Sequence, residues 1–163
     1  MIKNIFYDNG KLNKNKLRES WIIKNNNDTI GGHFITHNLF KDKYIYKDTI
    51  EVQFYYPEPL MSKNSELYLV YAKDGKFNHT FSNINSLNLD TLPNVYRINE
   101  MEDNNLSQYK RVVYQNYIFE SPGTKYIRNI FLERFDTIRN NIESKSFIDI
   151  YFEKKIQVID TTN

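Results

Sequence analysis

Apolar and polar residues alternate most regularly between positions 44 and 56, where Ile50, Val52, Phe54 and Tyr56 share one face and Glu51, Gln53 and Tyr55 the other. A period of two places successive side chains on opposite sides of an extended chain, so this stretch predicts a half-buried strand. Pro57 and Pro59 end it, because proline donates nothing to a ladder. Gly31 and Gly32 open an earlier extended stretch, residues 33–40. The sharpest turn signal is Asp74 followed by Gly75 between two apolar runs, a pair that suits a two-residue hairpin whose central positions take positive φ. Pairing Lys73 with Lys76 then opposes Val70 to His79 and predicts a core face of Tyr68, Val70, Ala72, Phe77, His79 and Phe81. Residues 83–90 read as a polar loop pinned by Ile84, Leu87 and Leu89. Residues 94–98 and 109–119 read as strands, and 147–159 as a closing strand with Ile148, Ile150 and Phe152 on one face.

Two stretches show helical spacing instead. Residues 12–24 set Leu17 and Trp21 four apart. Further on, Ser121 can cap a helix and Pro122 suits its first turn, while Ile127, Ile130, Phe131, Phe135, Ile138 and Ile142 form an apolar stripe. Glu133, Arg134, Asp136 and Arg139 supply much of its polar side. Together these elements predict an α+β fold, a largely antiparallel, aromatic-rich sheet with one major C-terminal helix packed on it. A β-sandwich or partial barrel carrying the same helix is the alternative. No repeat or linker divides residues 1–163, which read as a single domain.

Composition changes how these patterns are weighed. The chain holds a single alanine, Ala72, beside 22 asparagines, 16 lysines, 13 tyrosines and 11 phenylalanines. Asn, Lys, Ile, Tyr and Phe have AT-rich codons, so the bias points to the AT-rich genome of a bacterium, phage or virus before it points to any function. Twenty-two basic residues against 20 acidic ones give a net charge of +2, too little for a dedicated phosphate-backbone binder. Nucleic acid stays open through the basic residues among the first 24 positions. No cysteine is present, which removes disulfides, thiolate metal sites and thiol nucleophiles. The first residues lack the apolar core of a signal peptide and no run approaches a membrane span. A cytoplasmic protein is therefore expected, or one packaged or exported without a cleaved signal, with no membrane partner.

Candidate chemistry is sparse. His33 and His37 share a face of a strand but stand about 13 Å apart at the usual rise, too far to share a metal. His79 could join either only if the fold brings its hairpin to that strand, and it reads more simply as an interior imidazole between Phe77 and Phe81. The chain has neither a nucleophile elbow nor a phosphate-cradling glycine loop, so no nucleotide cofactor is expected. Glu51, Glu58 and Glu66 flank the central strands without a spacing that marks catalysis. Tyr55, Tyr71 and Tyr151 fall on the less apolar faces of their strands, where tyrosines serve protein recognition or base stacking. The leading expectation is a non-catalytic accessory, inhibitory or assembly component that binds a protein partner. A small hydrolase or nuclease using His33, His37 or His79 is the runner-up, and a nucleic-acid binder the third reading.

Overall fold

The computed structural model describes residues 2–6, 17–23, 29–39, 41, 43–99, 104–139 and 142–160, with side chains from residue 34 onward except 104–107, 138, 139 and 142. Among these residues, strands β1 (Ile2–Phe6), β2 (Leu17–Ile23) and β3 (Thr29–His33) form an antiparallel sheet in that order. Strands β4 (Thr36–His37), β6 (Ile50–Tyr55) and β9 (Val112–Tyr117) form a second. The largest sheet orders β5 (Lys43–Ile45), β11 (Ile142–Ile159), β10 (Gly123–Arg139), β7 (Glu66–Ala72) and β8 (Leu89–Leu92). All its pairings are antiparallel except β5 with β11. Helix α1 (Val95–Ile98) is a single turn, capped by Asn94. No described helix is long and apolar enough to cross a membrane.

The second sheet lies over one face of the five-stranded sheet. Val52 and Phe54 of β6 and Val113 of β9 are buried against Leu67, Leu69, Ile127, Phe131 and Ile150. The Phe54 ring centroid sits 4.9 Å from that of Phe131 and 5.3 Å from that of Phe152. Offset aromatic contacts of this kind add to the burial of each ring. The alternation read at Ile50, Val52 and Phe54 is therefore the actual inward face of β6.

The C-terminal helix does not exist, and with it both the α+β reading and the sandwich-plus-helix alternative fall. Residues 123–139 are β10, paired without a register shift to β11 from Gly123↔Val158 to Arg139↔Ile142. The physical reason lies in the spacing. Ile127, Phe131 and Phe135 stand four apart, a separation that shares one face in a strand as well as in a helix. Isoleucine and phenylalanine also favour pleated, half-buried surfaces. The discriminating positions are polar: Asn129 and Glu133 are buried beside Ile127 and Phe131, as a period of two demands. Gly123 begins the strand at φ +110, so Ser121 and Pro122 lead into β10 rather than capping a first helical turn.

The Asp74 hairpin is also corrected. Gly75 has φ +90, but Asp74 does not take the positive φ that the turn reading also required, and Val70 faces Thr91 on one side and Ile130 on the other, not His79. Residues 73–88 form a loop that folds back across the outer face of the large sheet. There Phe77 and Phe81 are buried with Ile130, and Ile84, Leu87 and Leu89 pack onto them. Phe81 adopts φ 54, a left-handed backbone costing a bulky residue about 1–2 kcal/mol, which its buried contact with the Tyr151 ring at 5.1 Å offsets. Near the N-terminus, residues 17–23 are strand β2 rather than helix, and the rest of that predicted helix lies outside the described residues. Residues 95–98 form α1 where a strand was read.

Candidate functional site

Pairing of β7 with β10 runs from Arg134↔Glu66 to Ile130↔Val70 and stops there. The last two residues of β7, Tyr71 and Ala72, stay paired to β8 but leave β10. Gly75 then turns the chain, and Arg128 Nη1 donates to the Phe77 carbonyl at 3.3 Å to hold the returning loop. Between the departing β7, residues 126–129 of β10 and the end of β9 lies a cleft of about 210 Å³.

Tyr71, Phe119 and Ile127 form its apolar walls. Its floor is a polar network anchored by Asn129, which is 2 % exposed. Asn129 Nδ2 donates to Gln115 Oε1 at 3.0 Å and to the Tyr117 hydroxyl at 2.5 Å. The Tyr117 hydroxyl in turn donates to Gln115 Oε1. Burial pushes the Tyr117 phenol well above its ordinary range, so it remains a protonated donor near neutral pH. Asn129 Oδ1 receives no hydrogen bond from a described residue. At the rim, Ile118 is 56 % exposed and Tyr126 is 42 % exposed, with Lys76 beside them. The described lining contains no carboxylate, imidazole or aliphatic hydroxyl. The arrangement offers shape, aromatic area and amide hydrogen-bonding groups.

A second opening of about 380 Å³, bounded by Lys41, Lys43, Asp48 and Glu51, is larger. These four charged residues are all exposed, and Asn38 spends its amide on the backbone of Glu51 and Gln53. It brings together no buried polar group.

Among the described side chains, His37 and His79 do not converge. His33 lies on β3, and its side chain falls outside the described residues. His37 packs edge to face on Phe152 at 5.5 Å, and its Nδ1 accepts the Leu39 N–H at 3.1 Å. Burial, then the charge of Lys154, lowers its pKa. His79 is exposed rather than interior, with Nδ1 3.0 Å from both oxygens of Glu153. Among the described residues, no three His, Cys, Asp or Glu side chains gather to hold a metal ion.

The three tyrosines singled out from sequence occupy three surfaces. Tyr55 faces away from the core on β6, with the Arg111 guanidinium 5.9 Å from its ring. Tyr71 lines the cleft, and its hydroxyl donates to Asp90 at 3.3 Å. Tyr151 lies beneath Phe81 on the outer face of the large sheet. Glu51 and Glu58 are exposed, whereas Glu66 accepts Arg97 Nη2 at 2.7 Å and Nε at 2.9 Å.

Sequence reasoning missed Asn129, Gln115, Tyr117, Ile118 and Tyr126. It also placed Glu133 on a solvated face. Glu133 is fully buried, and its two oxygens accept the Leu60 and Met61 N–H groups at 3.0 and 2.8 Å. This carboxylate ties the β6–β7 loop to β10. The neighbouring Tyr56 phenol is raised by burial and by the Glu133 charge. The signal for both polar residues was their place in a period-two pattern between Ile127, Phe131 and Phe135. No family model, curated protein or solved structure matches the chain.

Proposed function

We propose that the protein is a non-catalytic binding module, an accessory, inhibitory or assembly component, that engages another protein at the cleft beside β10. The observation that supports this reading is the make-up of that cleft. An exposed aromatic and aliphatic rim, Tyr126 and Ile118, surrounds a buried amide floor with no acid–base pair. Tyrosine-rimmed, partly desolvated pockets are where protein interfaces concentrate their binding energy. The volume points the same way. At about 210 Å³ the cleft is smaller than the roughly 300–1,000 Å³ of small-molecule sites, and it suits an anchoring side chain of a larger partner.

A photoreactive amino acid placed at Ile118 or Tyr126, and at Glu51 as a remote exposed control, tests the reading in cells that naturally make the protein. A discrete protein adduct from positions 118 and 126, absent from 51, is expected. Adducts to nucleic acid alone, or none above the control, would overturn it.

A further inference from the structure

The open side of β10 identifies what form the partner takes. Over residues 123–129 this strand has β11 on one side, and among the described residues no strand pairs with it on the other. Alternate residues of a strand direct their N–H and C=O groups to the same side, so part of this backbone faces the cleft without a strand partner among the described residues. Unpaired strand edges are templates for another chain, and folds normally cover or blunt them. Here the edge spans about 20 Å at the usual rise per residue and is flanked by exposed Ile118 and Tyr126.

Charge sets the chemistry of the occupant. Lys76 stands at the rim. Lys125 lies on β10 with its ammonium donating to the Ser121 hydroxyl at 2.7 Å, and Lys155 is exposed opposite Tyr126. None of the three pairs with a described carboxylate. Arg128, by contrast, is committed to Glu153 at 2.5 Å.

Resting on the reading of the cleft as a protein-binding site, we infer that the partner contributes an extended, acidic segment that adds as a strand to β10 over residues 123–129. Main-chain hydrogen bonds then supply affinity. The alternate side chains divide between the inner face, with the amide floor at Asn129 and Gln115 and with Lys125 on the same side of β10, and the outer face, where Lys155 stands opposite Tyr126, which supplies specificity.

Random heptapeptides displayed on phage and selected on the intact protein provide the probe. Selected sequences are then synthesised with N-methyl groups on alternate residues, in each of the two possible phases. Acidic peptides are expected, with affinity reduced at least tenfold by N-methylation in one phase and little changed in the other. Bound peptide should also slow hydrogen exchange at alternate amides of residues 123–129. Peptides that lose binding in Ile118→Glu but tolerate N-methylation in both phases would refute strand addition while leaving the cleft as the interaction site. Selection of basic peptides would refute the acidic segment. No selected peptide, or peptides indifferent to Ile118→Glu and Tyr126→Ala, would overturn both readings. Ile118 and Tyr126 are exposed, so these variants retain the fold, which circular dichroism verifies.

Discussion

His37 and His79 lie on opposite faces of the five-stranded sheet, because the first packs on Phe152 and the second pairs with Glu153, the next residue of β11. Successive strand side chains point to opposite sides, and β11 runs through this region without a register shift. The two rings therefore cannot ligate one ion. The separation also gives each histidine its own environment, apolar for His37 and anionic for His79.

For His37 that environment predicts a pH effect. Burial and Lys154 hold its pKa below the ordinary 6.5, and the Leu39 N–H donates to a ring nitrogen that must be unprotonated. The unfolded chain takes up the proton more readily, so this contribution to stability is fully present above pH ~6.5. It is lost as pH falls through the lower folded value. Urea unfolding at about pH 7 and 5.5 should show a smaller acid loss for His37→Gln than for the parent protein. Equal losses would refute the assignment.

Glu133 predicts a larger consequence. Glu133→Ala leaves the Leu60 and Met61 N–H groups without their acceptor, and should cost about 2–5 kcal/mol. Glu133→Gln keeps one acceptor oxygen and should cost less. Denaturant unfolding measures both, and an alanine variant within about 0.5 kcal/mol of the parent would show that the carboxylate does not hold the β6–β7 loop.

How much of this was legible depended on whether a segment's apolar spacing fitted one period or two. At Ile50, Val52 and Phe54 only a strand fits, and the inward face was read correctly. At Ile127, Phe131 and Phe135 a separation of four fits both periods, and the cap-like Ser121 and Pro122 tipped the reading to a helix. Asn129 and Glu133 could have corrected it, but polar residues at inward positions count against a strand until their partners are known. Those partners, Gln115, Tyr117, Leu60 and Met61, come from distant segments. The cleft was hidden for the same reason. It arises where β7 leaves β10, and register between distant strands has no local signature. Tyr55, Tyr71 and Tyr151 were each placed on a strand, yet nothing in their spacing disclosed that three strands carry them to three surfaces.

Gly75 separates what the turn motif established from what it did not. Its φ of +90 is unfavourable for any side chain, and a Cβ there would stand 3.3 Å from Leu87 Cδ2. Gly75→Val should therefore destabilise the protein by about 1–3 kcal/mol, although the strand returning to β7 is β8 rather than the residues after the turn. Thermal unfolding tests this, and a variant as stable as the parent would mean that the loop re-forms without positive φ.

Glu153 contributes to the acid limb. Burial alone would raise its carboxyl, but hydrogen bonds from His79 and Arg128 outweigh that and hold it below the ordinary 4.5. Its contribution is therefore fully present above pH ~4.5 and disappears as pH falls through the lower folded value. Glu153→Gln, which keeps the shape but not the charge, should be less stable than the parent at about pH 5, and the gap should narrow as pH falls toward about 3. His79→Gln should reduce the gap only in part, because Arg128 still donates to Glu153 at 2.5 Å. A gap that stays constant with pH would show that Glu153 acts by packing, and that the pair with Arg128 contributes no net charge–charge stabilisation.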